Sequence, residues 1–395
     1  MRSLAEHLQL VVSRVRPLEP LGLPLLDANG CVLAVDVTAP HDVPAFHQSA
    51  VVGYAARAGD IAMASPTSVL ALREVPVGMP LAPGTVMRVG VGSPLPYGSD
   101  CVIPAEYTDQ ATPVVRVGRN VARAANVTLS GSQIKRGTVL LQTGQILRSR
   151  EIALLAAIGV GKVPAYPRPR IAVITTGTEL IDTGRIRPQA VGAGLQKPDV
   201  NGVALACAVV ESGALSYRVG PVSDDPVRLR KILDDQLGRA DMVVTTGGIG
   251  SDPGDVLRPV LATMGTVDFA WVALDPGRVQ GTGSLGTSNV PLIALPGEPT
   301  AAFVGFELFV RPVVRRLMGQ SDVFGRRRQV ELAEPLRGGP DVTTVVPVAV
   351  TDGVAAPVGS GILALTQANA LAVVPPSSSA VDRGETVMAV MLEHT

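Results

Sequence analysis

Apolar positions along the chain change period several times, and each change marks a shift in organisation. Leu4, Leu8, Val11, Val12 and Val15 recur at helical spacing, which predicts an amphipathic helix within MRSLAEHLQLVVSRV. LPLLDANGCVLAVDVTAP follows, two short apolar runs split by Asn29-Gly30, a hairpin signal. From 42 to 134 short β runs alternate with turns, as in VPAFHQSAVVGYAARAGD and GTVMRVGVGSPLPYGSDCVIPAEYT, and this stretch reads as a separate, mostly β domain inserted into the first. GTVLLQTGQIL and SREIALLAAIGV, within 137–160, return to strand and then helix.

From 168 to 320 the pattern becomes strand, polar loop, helix, repeated, the grammar of a doubly wound α/β domain. RIAVITT reads as a buried strand, VNGVALACAVVESGA as a helix ending at Gly213, and LSYRVGPV as the next strand. Asp225-Pro226 supplies an N-cap followed by Pro at the first helical position, opening PVRLRKILDDQL. Strands are expected at 241–246, around 267–274 and at 290–295, with a helix after Asp255 and a long apolar-faced helix that Pro312 should kink or restart. Residues 321–395 alternate in a β manner. In an open α/β sheet the loops at the carboxyl ends of the strands build the ligand crevice. Three such loops, TTGTEL, TTGGIGSDPGD and LPGEP, therefore belong to one site.

Composition narrows the function. At 395 residues the chain should divide into two to four domains. Its formal charge is zero and its aromatic content 3%, so neither an electrostatic surface nor stacking platforms for nucleic acid are expected. No run approaches the ~20 apolar residues that span a bilayer. The N-terminal stretch reads as a helix and not a signal peptide. Cys31, Cys101 and Cys207 lack metal-ligand spacing and fit a reducing cytoplasm. His7, His41, His47 and His394 are too dispersed for a histidine metal site, and the lysines are few: Lys135, Lys162, Lys197 and Lys231. Serines without a paired His or acid give hydrolase chemistry no support. Gly248-Ile249-Gly250 lacks the third glycine of a dinucleotide fingerprint.

The ordered set of motifs resembles the MoeA / gephyrin E-domain family. TTGTEL, the DVNG helix start, SDDP, TTGGIGSDPGD, LPGEPTAAFVGFELFVRP and GSGILALTQANALAVVP carry the likeness, with DVPAFHQSAVVGYAARAGD and RVGVGSPLPYGSDCVIP upstream. It implies a discontinuous, elongated linker domain (1–41 and 135–167) and an inserted β domain (42–134). It also implies a MogA-like α/β molybdopterin-binding domain (168–320) and a β-barrel-like C-terminal domain (321–395). Such proteins are cytoplasmic homodimers that move molybdenum from molybdate into adenylylated molybdopterin with Mg²⁺, releasing AMP. The active cleft lies between the α/β domain of one subunit and the β domain of the other. Gephyrin implies another role for the same fold, a scaffold for extended peptide segments of partner proteins; by analogy a bacterial scaffold would take cytoskeletal or cell-division proteins.

Carried over by position, the family places its functional acids at Glu179, Asp224 and Asp255, as catalytic groups and Mg²⁺ ligands. It places pterin and adenylate contacts at Thr176, Gly177, Asn201, Gly247, Gly248, Pro296, Gly297 and Pro299. Glycine-rich loops at helix N-termini would supply backbone N–H groups to anionic phosphates, and Mg²⁺ wants carboxylates with phosphate oxygens completing its shell. Asp224 and Asp255 also suit helix capping, and the glycines suit tight strand–helix turns. Several family residues are replaced. Val52 stands for the acid of DGYA, Val91 for the threonine of TGAP and Gln133 for the acid of GEDI. In the WKLxxKPGKP stretch Val272 and Asp275 stand for lysines, and Arg278 keeps a positive charge nearby. Asp275 reverses the sign of a group that receives an oxyanion. Molybdenum insertion by the usual mechanism is therefore expected to suffer, unless His47, Asp252 or Arg278 compensates.

Overall fold

The computed structural model describes residues 1–185, 191, 196–250 and 255–392. They form two compact units, one of Met1–Ala34, Gly144–Arg148 and Lys162–Thr395, the other of Val35–Thr143 and Ser149–Gly161.

The second unit is built on a five-stranded sheet. Its strand order is Cys101–Pro104, Gly53–Ala56, Thr85–Val89, Leu70–Glu74, Val114–Val117. Alternate residues of these strands, among them Tyr54, Leu72, Val86, Ile103 and Val115, meet in one apolar core. Gly53 is obligatory there, because a Cβ would run into the Ile103 carbonyl.

The first unit begins with the expected helix, Leu4–Ser13, closed by a Ser3/Glu6 capping box. The hairpin expected around Asn29-Gly30 does not form. Leu21–Pro24 and Val32–Leu33 each pair with Lys162–Tyr166, which lies between them. Leu25–Ala28 makes one helical turn instead, burying Ala28 and separating the two strands.

The α/β core runs β1 (Arg170–Thr176), α1 (Val200–Glu211), β2 (Leu215–Val222), α2 (Pro226–Leu237), β3 (Met242–Thr246), α3 (Leu257–Met264), β4 (Gly265–Trp271), β5 (Val279–Leu285), β6 (Val290–Leu295) and α4 (Pro299–Gly305). Strand order is β2-β1-β3-β6-β5-β4. The first four strands are parallel and β5 and β4 antiparallel, so the doubly wound half continues into a meander. Apolar β1 and β3 are buried on both faces, as a parallel sheet covered by helices requires. One side packs on the N-terminal helix, α1 and the helices after β6; the other packs on α2 and α3. As the sequence indicated, Asp225 caps α2 with Pro226 at its start.

After α4 the helix widens into a π-turn at Phe306–Val310 before continuing as Arg311–Leu317. Pro312 sits in the first turn of that last segment, where its missing N–H is accommodated. Arg311 and Glu307 form a buried bidentate pair, with both N–H···O distances 2.7 Å, and Arg311 also donates to Ser212 Oγ at 2.8 Å.

Five C-terminal strands close into a barrel. Thr343–Thr351 pairs with both Val354–Pro357 and Ala370–Val374, and Arg327–Leu332 and Thr386–Met391 complete the ring. Outside it, the short strand Leu274–Asp275 pairs with Thr343 and Thr344, tying the segment after β4 to the barrel.

Candidate functional site

A cavity of about 1030 Å³ opens where β1, β3 and β6 end, as the strand-end rule predicts. Its floor is made of backbone. Gly247 and Gly248 hold φ of +88° and +64°. A Cβ on Gly247 would sit 2.6 Å from the Thr176 carbonyl oxygen, and one on Gly248 would sit 2.9 Å from Thr176 Oγ1. A Cβ on Gly297 would lie 3.3 Å from the Gly247 Cα, a tight contact but a looser one. Asn201, in the first turn of α1, clasps these turns together. Its Nδ2 donates to Thr246 Oγ1 and to the Gly297 carbonyl, both at 2.9 Å, while Thr246 Oγ1 donates to the Pro296 carbonyl at 2.7 Å. Beneath the glycines the Thr176 hydroxyl is buried and has no hydrogen-bond partner among the described residues, a donor open to an acceptor.

Every predicted pterin-side residue lines this cavity: Thr176, Gly177, Asn201, Gly247, Gly248, Pro296, Gly297 and Pro299. Their expected placement at helix N-termini needs correction. Gly177 leads into a short β ladder, Leu180–Ile181 with Lys197–Pro198, not into a helix. Gly297 does precede α4, but the Glu298 carboxylate already accepts from the Thr300 and Ala301 N–H groups, so that helix entrance is filled by the chain's own acid.

Glu179, Asp224 and Asp255 line the same cavity. Asp224 Oδ2 accepts from both the Thr178 N–H (2.8 Å) and the Thr178 hydroxyl (3.0 Å), so this acid fixes the loop that carries Glu179. Glu179 folds back over Gly177, where an added Cβ would lie 2.9 Å from Glu179 Oε2. Neither Asp224 nor Asp255 caps a helix: Asp225 performs that task for α2, and α3 follows Val256 with no side-chain cap. Among the described residues no group of three His, Cys, Asp or Glu side chains is placed to hold a metal ion. The residues expected to hold Mg²⁺ share this cavity, where phosphate oxygens of a bound ligand would have to complete any shell.

The far wall runs from Trp271 to Val279. Asp275 and Arg278 line the cavity, whereas Val272 does not; it is fully buried in the main core beside Val11 and Leu274. The Gln280 amide, wholly buried, donates to the Gly277 carbonyl at 2.8 Å and props the turn carrying Arg278. The N-terminus holds the start of this wall: Arg2 N–H donates to the Trp271 carbonyl, Ala273 N–H to the Arg2 carbonyl, and the Arg2 guanidinium pairs with Asp268 at 2.8 Å.

Sequence reasoning missed two groups on the near wall. Asp199, 1% exposed, accepts from the Gly202 N–H, the Thr175 hydroxyl and Arg218 (2.7 Å). Its position just before an apolar helix was the available signal. Lys197 also lines the cavity, and nothing in the sequence pattern marked it. In the second unit Val52 and Val91 are 61% and 67% exposed, and Gln133 is exposed too. His47 Nδ1 accepts from the Ser130 N–H at 2.8 Å, which commits that nitrogen to holding a loop. Asp252 and His394 lie outside the described residues.

Three family models match in chain order: MoeA N-terminal region (domain I and II) over residues 2–159, probable molybdopterin binding domain over 172–316, and MoeA C-terminal region (domain IV) over 329–392. Molybdopterin molybdenumtransferase 2 of Mycobacterium tuberculosis is 34% identical over 349 residues, 85% of this chain and 84% of the relative. Molybdopterin molybdenumtransferase of Bacillus subtilis is 28% identical over 388 residues, 92% of this chain and 87% of the relative. The crystal structure of a molybdopterin biosynthesis MoeA protein from Pyrococcus horikosii superposes with a TM-score of 0.80 at 27% identity, over 100% of this chain and 99% of that one.

Proposed function

The chain belongs to the MoeA family, and on that premise we propose that its cavity holds adenylylated molybdopterin while inserting molybdate slowly. The observation that carries this reading is the buried Thr176 hydroxyl beneath Gly247 and Gly248, which has no hydrogen-bond partner among the described residues. A buried donor without an acceptor costs roughly 1–3 kcal/mol, and a ligand oxygen resting on the glycine turns would relieve it. Side chains other than glycine would fill the space that such an oxygen needs. Asn201 keeps the turns in register, and Asp224, through Thr178, fixes the loop from which Glu179 reaches the ligand.

Asp275 acts in the opposite sense. Its carboxylate faces the cavity where the family has a cation, so it repels the oxyanion that must approach the pterin. Binding survives because the floor is intact; transfer suffers because the receiving charge is inverted. AMP release from adenylylated molybdopterin, followed with and without molybdate beside direct binding, tests both halves. Retained binding with molybdate-stimulated turnover at least tenfold below that of a relative carrying lysine at this position is expected. Turnover equal to that relative would sink the slow-insertion half, and absence of binding would sink the whole reading.

Val52 and Val91 favour a second reading. Apolar side chains stand exposed where the family has an acid and a threonine, which suits cover by another chain better than contact with an anion. In this reading the protein is a homodimeric scaffold that takes extended peptide segments of partners. Sedimentation checks the dimer, and a monomer at micromolar concentration would remove its basis.

A further inference from the structure

Two basic side chains among the described residues line the cavity, Lys197 and Arg278. Arg278 lies three residues after Asp275, a lining acid, and no ion pair joins the two among the described residues. Lys197 lines the cavity from the segment between β1 and α1, and its backbone is held firmly. Its N–H donates to the Glu179 carbonyl at 2.8 Å, Pro198 follows, and the Asp199 N–H donates to the Ile181 carbonyl at 2.9 Å. Asp199 is itself buried and fixed by Thr175, Gly202 and Arg218. The neighbouring guanidinium of Arg218 is spent on Asp199 and Asp182. The Lys197 ammonium makes no ion pair or hydrogen bond within the described residues, so a cation rises from a rigid base beside the Gly177–Glu179 loop with no anion of the protein assigned to it.

We infer that Lys197 receives the phosphate of the bound nucleotide and sets the cavity's preference for a phosphorylated ligand over the free nucleoside. The inference rests on the reading of the cavity as a pterin-nucleotide site. Asp275, on the segment that also bears Arg278, is a lining acid without a partner among the described residues, whereas Asp199, the acid next to Lys197 in sequence, is already neutralised by Arg218. The ligand class is a nucleoside monophosphate ester: the glycine turns and Thr176 accept the neutral polar part, and Lys197 pairs with the phosphate oxygens.

Titration calorimetry on the intact protein with AMP and with adenosine tests this, for wild type, Lys197→Ala and Lys197→Arg, beside retention of adenylylated molybdopterin. Loss of a charge-assisted contact should weaken AMP binding in Lys197→Ala by about tenfold or more, leave adenosine unchanged, and be largely restored in Lys197→Arg. Added salt should narrow the gap between wild type and Lys197→Ala. Equal AMP affinity in wild type and Lys197→Ala, or an equal loss for adenosine, overturns the assignment. So does a wild type that retains adenylylated molybdopterin but ignores AMP. A wild type that binds neither overturns the reading of the cavity itself, and the two failures are thereby told apart.

Discussion

The floor and the far wall of the cavity obey different constraints. The floor is backbone against backbone: Gly247 on the Thr176 carbonyl, Gly297 on Gly247, and Asn201 stitching the turns. Almost any change of residue there collides with a neighbour, so the floor keeps its shape or the sheet end distorts. The wall from Trp271 to Val279 is held by main-chain pairing to Arg2 and to Thr343–Thr344, and its Asp275 and Arg278 side chains are exposed. Charge can change there without moving the fold. A binding cradle is therefore hard to lose in small steps, whereas the chemistry opposite it is easily altered.

The largest effect should come from breaking the floor. Gly247→Ala places a methyl 2.6 Å from the Thr176 carbonyl oxygen at a φ of +88°. A loss of about 3 kcal/mol in urea unfolding is expected, with ligand binding abolished. A variant of unchanged stability would show the floor to be as permissive as the wall.

Acid should act on the wall first. His7 is buried against Phe309 and accepts from Arg2, and burial, aided by the Arg2 charge, pushes its pKa from 6.5 down to about 4, with Asp268 opposing and Arg14 adding to the shift. Between those values the unfolded chain carries a proton that the folded chain refuses. Stability is thus complete above about pH 6.5 and falls as pH drops toward 4, by on the order of 3 kcal/mol. Denaturant midpoints across that range check this. His7→Leu should flatten the slope, and an unaltered slope would mean that other groups carry it. Because Arg2 holds Trp271 and Ala273, hydrogen exchange at the wall should rise before exchange at β1 and β3.

Much of this was legible in the sequence. Buried parallel strands read as continuous apolar runs, the Asp225-Pro226 start was visible, and the three strand-end loops pointed to one cavity. What was hidden has physical reasons. β5, with the sequence VQGTGSL, shows no apolar pattern because its small residues are needed for close packing; a Cβ on Gly281 would lie 2.7 Å from the Phe269 ring. Val272 looked like a lost cavity group, but period alone does not say which face a residue takes beside a short strand. The commitment of Asp224 to Thr178 and the place of Lys197 in the cavity lining are tertiary facts, set by segments far apart in the chain.

A smaller effect separates clasp from cradle. Asn201→Ala removes two hydrogen bonds between the turns, which should cost about 1–2 kcal/mol and weaken ligand binding in step. If binding holds while stability drops, the glycine turns keep their register without the clasp, and the floor is stiffer than its hydrogen bonds suggest.

The smallest change in stability should come from the wall, where the functional consequence is most telling. Asp275→Lys exchanges one exposed charged side chain for another, while the main-chain pairing of residue 275 to Thr344 is untouched. Unfolding should shift by no more than about 0.5 kcal/mol. The sign of the potential at the cavity wall is nevertheless reversed, from repelling to attracting an incoming oxyanion. Molybdate-stimulated AMP release should then rise about tenfold or more, through the dependence on molybdate concentration and not through affinity for the pterin nucleotide. A gain of this form would show that the floor still presents its ligand correctly and that the wall alone limits transfer. No gain, with binding intact and the fold unchanged, would place the block elsewhere, at Val52 and Val91, where the family's acid and hydroxyl are also gone.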